Sequence, residues 1–247
     1  MSIPRQNLVV VALIMSVVIF CSFSIALFIH SQMPTKINYR LTLKVEANGI
    51  VYTGSGVIES VWYPGNKFIP IGNDWNTHVK GEAVVVDLGE RGTLFALLTG
   101  SATPLAGGRY GESFYPFDAD RILLKAFNIE NSLTQDSLNS ISKRRDSVDL
   151  PLNKLPMLVR VNNLNDPSSV ERVDPNDLPT SFGLGVRIVS ATFAVTDDPV
   201  TTGIEKKLVW LQTPNDGFQS QELRLNNELR SRRSLTGNLA IENFKRL

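Results

Sequence analysis

Residues 8–29 read LVVVALIMSVVIFCSFSIALFI, twenty-two positions without a charge, a proline or a glycine. As a helix this run reaches roughly 33 Å, slightly more than a hydrocarbon core of about 30 Å. Fifteen of its residues are Leu, Ile, Val or Phe, which together favour insertion into a bilayer by several kcal/mol, on the order of −0.3 to −0.6 each. The serines at 16, 22 and 24 cost little, because a hydroxyl bonds back to the carbonyl one turn earlier. A buried helix of a globular protein rarely stays apolar all round for six turns. A secretory leader has a shorter apolar stretch and a small-residue cleavage site; Ser24-Ile25-Ala26 resembles such a site, yet apolar residues continue through it to Ile29. The bulky Phe20 before Cys21 argues against lipoprotein processing. The run is therefore read as an uncleaved, single-pass anchor whose first partner is the lipid bilayer.

The organisation that follows is a short cytoplasmic stretch (1–7), the transmembrane helix (8–29), a linker (30–38) and one β-rich domain (39–247). The expected orientation has the N-terminus in the cytoplasm and the domain outside. Lys36, Arg40 and Lys44 follow the helix, and Arg5 precedes it, so local charge leans the other way; long domains cross largely regardless of such flanks. The only cysteine, Cys21, lies within the apolar run. A domain without cysteine suits an oxidising compartment and excludes a disulfide framework or a thiolate zinc site. The net charge of +1 favours no nucleic-acid partner.

Residues 39–46 alternate apolar with polar, the pattern of a half-buried strand. Asn48-Gly49 follows as a type I′ turn signal, and the return strand runs from Ile50 to Tyr63. Gly54-Ser55-Gly56 interrupts it, which suggests a bulge. Residues 63–80 read as a loop. AVVVDL and TLFALL, joined by Gly89-Glu90-Arg91-Gly92, read as a second hairpin, apolar on both faces and so central in a sheet. Both hairpins, joined by residues 186–195, are expected to form one largely antiparallel sheet. Asp118 to Ile129 suggests a helix capped by Asp118, and Ser132 with Gln135 suggests a capping box opening a polar helix to about Arg145. Residues 158–161 make a short strand, 166–183 is turn-rich, and 203–211 has room for a helical turn or two. The fold class is α+β, β-rich, preceded by the transmembrane helix.

Four stretches carry a resemblance to a known group. They are Thr53-Gly54-Ser55, residues 81–89 (GEAVVVDLG) with 94–98 (LFALL), residues 166–171 (DPSSVE) and residues 196–211 (TDDPVTTGIEKKLVWL). Together they resemble uncharacterised membrane-anchored proteins of alphaproteobacteria, over most of the domain. Val209 stands where members of that group tend to have proline before the tryptophan. The resemblance implies a bacterial cytoplasmic-membrane setting and supplies no catalytic residue.

Chemistry is sparse. His30 and His78 are the two histidines, too few for most imidazole sites; His78 reads as a solvated loop residue. Ser55 and Ser101 sit among glycines without completing a nucleophile elbow. Asp118/Asp120, Asp174/Asp177 and Asp197/Asp198 lack the ligand alternation of a calcium loop and read as caps and turns; no metal or cofactor is expected. Gly183-Leu184-Gly185 lacks the third glycine and the helix of a dinucleotide site. Residues 222–247 carry six basic against three acidic residues, net +3, the pattern of a solvated charged tail. The best binding candidate is the stretch from Thr201 to Leu211, with Thr202, Glu205, Lys206, Lys207 and Trp210 as its surface; Ile204, Leu208 and Leu211 have the spacing to pack it on a sheet instead. The expected role is a partner-binding or structural domain in the envelope, met by a protein partner. The alternative is a membrane-anchored periplasmic hydrolase built on Asp87, Asp118, His78 or Ser101.

Overall fold

The computed structural model describes residues 13–24, 33–65, 75–98, 118–129, 133–166, 169–212 and 244–246. The chain divides into two compact units, Met1–Thr35 with Trp62–Asn76, and Lys36–Val61 with Thr77–Leu247. In the first unit, helix α1 covers residues 13–24. Its apolar side chains are all exposed, from Val17 at 54% to Phe20 at 70%. The hydroxyls of Ser16, Ser22 and Ser24 donate to the carbonyls of Leu13, Val18 and Phe20 at 2.8, 2.8 and 2.9 Å, the back-bonding expected from the sequence. Among the described residues no helix is long and apolar enough to cross a membrane; positions 8–12 and 25–29 of the expected span lie outside them. In the same unit Trp62 meets Trp75 edge to face at 6.5 Å.

The second unit is β-rich α+β with antiparallel sheets. Strand β1 (Thr35–Ala47) buries every odd residue, Ile37, Tyr39, Leu41, Leu43 and Val45 among them. It starts four residues before the expected Tyr39. Asn48 (φ 52°) and Gly49 (φ 79°) make the tight turn that type I′ geometry requires. Strand β2 (Ile50–Pro64) returns. Strand β3 (Trp75–Glu82) takes in residues 75–80, expected to be loop, and ends on Glu82, expected to open the next strand. Beyond these, β4 (Val84–Asp87), β5 (Thr93–Ala96), β6 (Ser147–Asp149), β7 (Leu158–Val161), β8 (Val170–Val173), β9 (Val186–Val195) and β10 (Lys245–Arg246) complete two sheets. One has the order β10-β3-β2-β1-β9-β6 and the other β4-β5-β7-β8.

The single sheet expected from the sequence is thus two. The first hairpin joins β9 as expected, Tyr39 facing Val195 and Ala47 facing Val186, but the second hairpin is in the other sheet. The physical reason lies where β4 crosses β2. Gly81, at φ 149° and against Ile58, and Glu82 still pair with β10 in the first sheet, and only after Ala83 does the chain continue as β4. Gly54 and Gly56 then let β4 cross close over β2: a Cβ on Gly54 would lie 2.7 Å from Val86 Cγ2 and closer still to the Val85 carbonyl, and one on Gly56 would lie 3.1 Å from Val84 Cγ2. Those glycines mark a close approach; in the β1–β9 pair a register shift lies between Lys44 and Val45, where β9 carries the extra residue Val189. β5 is buried throughout and central, whereas β4 is an edge strand.

Helix α2 (Asp118–Phe127) brings Phe127 edge-on to Phe193 at 5.6 Å, and Phe193 stacks on Tyr39 at 4.6 Å. The side chain of Asp118, the expected cap, lies outside the description. Helix α3 (Gln135–Ser142) is capped by Thr134, whose hydroxyl accepts the Ser137 N–H at 3.1 Å while Ser137 Oγ accepts the Thr134 N–H at 2.9 Å. The capping box is therefore Thr134–Ser137; Gln135, the expected third position, is the first helical residue, and Ser132 is outside the described residues. Within the expected turn region 166–183 lie β8 and helix α4 (Leu178–Phe182).

Candidate functional site

Residues 201–212 cross the second sheet and are fastened along their length. Thr201 bridges to β2, donating its N–H to the Val57 carbonyl at 3.0 Å and accepting the Val57 N–H on its hydroxyl at 2.8 Å. Gly203, at φ 115°, opens a single tight turn over Ile204–Lys206. Ile204, Leu208 and Leu211 are buried with Phe95, Leu97, Met157, Val159 and Phe244. Trp210 rests edge-on against Phe244 at 5.2 Å. The packing spacing seen in the sequence is what the fold uses.

The turn is held from beneath by Glu82, the last residue of β3 and 3% exposed. Its carboxylate accepts the N–H of Gly203 on Oε1 and of Ile204 on Oε2, both at 2.9 Å. Two free N–H groups at the start of a helical turn are a natural seat for a carboxylate. Burial nevertheless raises the Glu82 carboxyl above its ordinary range, and the charge of Glu205 adds to this; the two N–H groups and Lys245 oppose it. Glu205 behaves oppositely. Its hydrogen bond from Lys245 Nζ, at 2.9 Å, holds it below the ordinary range. Of two neighbouring carboxyl groups, Glu82 is therefore the one to take up a proton and Glu205 the one to stay charged. Lys245 lies on β10, where it faces Glu82 in register. Lys207 pairs with Asp87 at the end of β4, and that pair with the Gly89 N–H lowers the Asp87 carboxyl.

The five surface candidates thus divide. Glu205, Lys207 and Trp210 are turned to internal partners, whereas Thr202 and Lys206 are exposed, beside Val209. Glu82 is the residue that sequence reasoning missed. Its one signal was an acidic side chain opening an otherwise apolar strand, directly after Gly81.

Of the residues considered for hydrolysis, two are described. Asp87 is occupied as above, and His78 is exposed on β3; Ser101 and the Asp118 side chain lie outside the description. Ser55 Oγ is 3.0 Å from Thr42 Oγ1. Asp197 pairs with Arg145 at 2.9 Å and Asp198 with Arg40 at 2.5 Å, so they end β9 as a braced turn. Asp177 caps α4 through the Thr180 N–H at 3.3 Å, and Asp174 accepts the Asn176 N–H at 2.8 Å. Among the described residues no group of three or more His, Cys, Asp or Glu side chains converges as metal ligands. The tail at 222–233 and His30 are outside the described residues. No protein-family model, no curated protein and no solved structure matches the chain.

Proposed function

We propose that the protein is a single-pass protein of the bacterial inner membrane, anchored by residues 8–29, with a periplasmic domain that binds a partner or serves a structural role. The observation that carries this reading is α1. Eight large apolar side chains, Leu13 through Phe23, stand exposed on its surface, and its only polar groups, the serine hydroxyls, are satisfied within the helix. Leaving eight such side chains in water costs on the order of 10 kcal/mol. A bilayer removes that cost and leaves no polar group wanting a partner. The cysteine-free domain suits the oxidising side. In the domain the most suggestive stretch, 201–212, is committed to holding the second sheet, and Thr202 and Lys206 are the part of it open to a partner.

Two fusions after Leu247 test the placement: alkaline phosphatase, which matures outside, and a fluorescent protein that matures only inside. An active phosphatase with a dark fluorescent fusion is expected. The reverse pattern puts the domain in the cytoplasm, and release of the chain by alkaline carbonate removes the anchor altogether.

A further inference from the structure

Three turns meet in the second unit: Asn48-Gly49 between β1 and β2, Gly89–Gly92 between β4 and β5, and Gly183–Gly185 between α4 and β9. Arg91 ties them. Its Nη1 donates to the Phe182 carbonyl at 2.9 Å and its Nη2 to Asn48 Oδ1 at 3.0 Å. Gly185 lies so close to Asn48 that a Cβ there would be 3.2 Å from Oδ1. Arg160 reaches the same place from β7, donating to the Ser181 carbonyl with its guanidinium 5.3 Å over the Phe182 ring. On top of this braced junction Leu184 is 84% exposed, held between two glycines of positive φ, and Ile50 is 58% exposed.

Two features set this junction apart. First, among the described residues neither arginine is in an ion pair, although Glu171 faces Arg160 in register across β7 and β8. Among the described residues both donate to carbonyl or amide oxygens alone, and Glu90, exposed in the same turn, pairs with neither. A guanidinium has five N–H donors; Arg91 commits two and Arg160 one, with its buried Nε unpartnered. Second, Leu184 gains nothing from its position in the fold. Its side chain stands open to a partner.

We propose that this junction docks an apolar peptide segment of a partner protein that carries a carboxylate. Leu184 and Ile50 meet its apolar side chain, and Arg91 with Arg160 takes the carboxylate. The planar donor fork of arginine matches a carboxylate in two parallel bonds, and the carbonyls that hold both guanidiniums fix their aim beforehand. A lipid surface is the weaker fit, since it rewards a broad apolar face with many flanking cations. The proposal rests on the partner-binding reading above and names where binding happens.

A random peptide library, panned against the full chain in nanodiscs, tests it, with Leu184→Asp as the counter-selection. The variant's unfolding midpoint should match the wild type, because the side chain is outside the core. Enriched peptides should carry Asp, Glu or a terminal carboxylate beside a large apolar residue. They should bind wild type at least tenfold more tightly than Leu184→Asp, and Gln in place of the peptide's acid should weaken them as much. No enrichment, peptides without a carboxylate, or equal binding to the variant overturns the proposal, as does Leu184-dependent binding to phosphatidylglycerol vesicles alone. A partner cross-linked equally well by wild type and Leu184→Asp would overturn this site while leaving the partner-binding reading intact; the fusion results depend on neither.

Discussion

Replacing Gly54 with alanine asks whether β2 has glycine there for space. Gly54 has no positive φ, so alanine is free to adopt its backbone. On backbone entropy alone the change stabilises by about 0.4–1 kcal/mol. The geometry says otherwise. The new methyl would come to 2.7 Å from Val86 Cγ2 and nearer still to the Val85 carbonyl, a backbone atom that cannot swing away. Ordinary contact begins at 3.4 Å, so β2 and β4 must part by roughly an ångström. Overpacking of this kind costs about 1–3 kcal/mol, and the backbone obstacle puts Gly54→Ala at the upper end. Gly56→Ala meets the Val84 methyl at 3.1 Å, a side chain that yields, and should cost about 1 kcal/mol or less. At about 2–4 °C per kcal/mol for a domain of this size, the first variant loses about 6–12 °C. Urea unfolding in mild detergent, followed by tryptophan fluorescence, reads both. A Gly54→Ala midpoint at or above wild type, or a larger loss at Gly56, would refute the close-approach argument.

Glu82→Ala leaves the buried N–H groups of Gly203 and Ile204 without acceptors and should cost about 2–4 kcal/mol. Because burial raises the Glu82 carboxyl in the fold, the folded state holds that proton more tightly than the unfolded chain. Its contribution is full below the unfolded value of 4.5 and is lost as pH rises through the folded value; Glu82→Gln should flatten that slope in midpoints measured across about pH 4–8. Asp87 runs the other way: the Lys207 bond lowers it, so its contribution is present above 3.8 and lost as pH falls through the folded value. Exposed as it is, Asp87→Asn should shift the neutral-pH midpoint by less than about 1 kcal/mol. Leu208→Ala, at a fully buried position under the second sheet, should cost about 2–5 kcal/mol in the same unfolding assay.

What the sequence disclosed followed from local rules. Alternation gave β1 and β9, Asn48-Gly49 gave the turn between β1 and β2, and the spacing of Ile204, Leu208 and Leu211 gave the packed face of 201–212. What it hid was set by contacts between distant residues. Whether AVVVDL joins one sheet or founds another depends on long-range contacts such as Gly54 meeting Val86, and no local pattern carries that. β3 was hidden because Asn76, His78 and Lys80 are poor strand formers. Glu82 looked like an ordinary strand-end acid because its partners, Gly203 and Ile204, lie 121 and 122 residues away. The junction around Arg91 has the same character: Asn48 and Phe182 are 43 and 91 residues from it.

The pairing of β1 with β9 has a consequence in time. Glu46 and Arg187, neighbours across that pair, are 141 residues apart in the chain. At a synthesis rate of about 5–20 residues per second, β1 waits roughly 7–28 s for its neighbour to be made. Throughout that interval one edge of β1 lacks its partner strand, and the backbone N–H and C=O groups along it are left to water or to another strand.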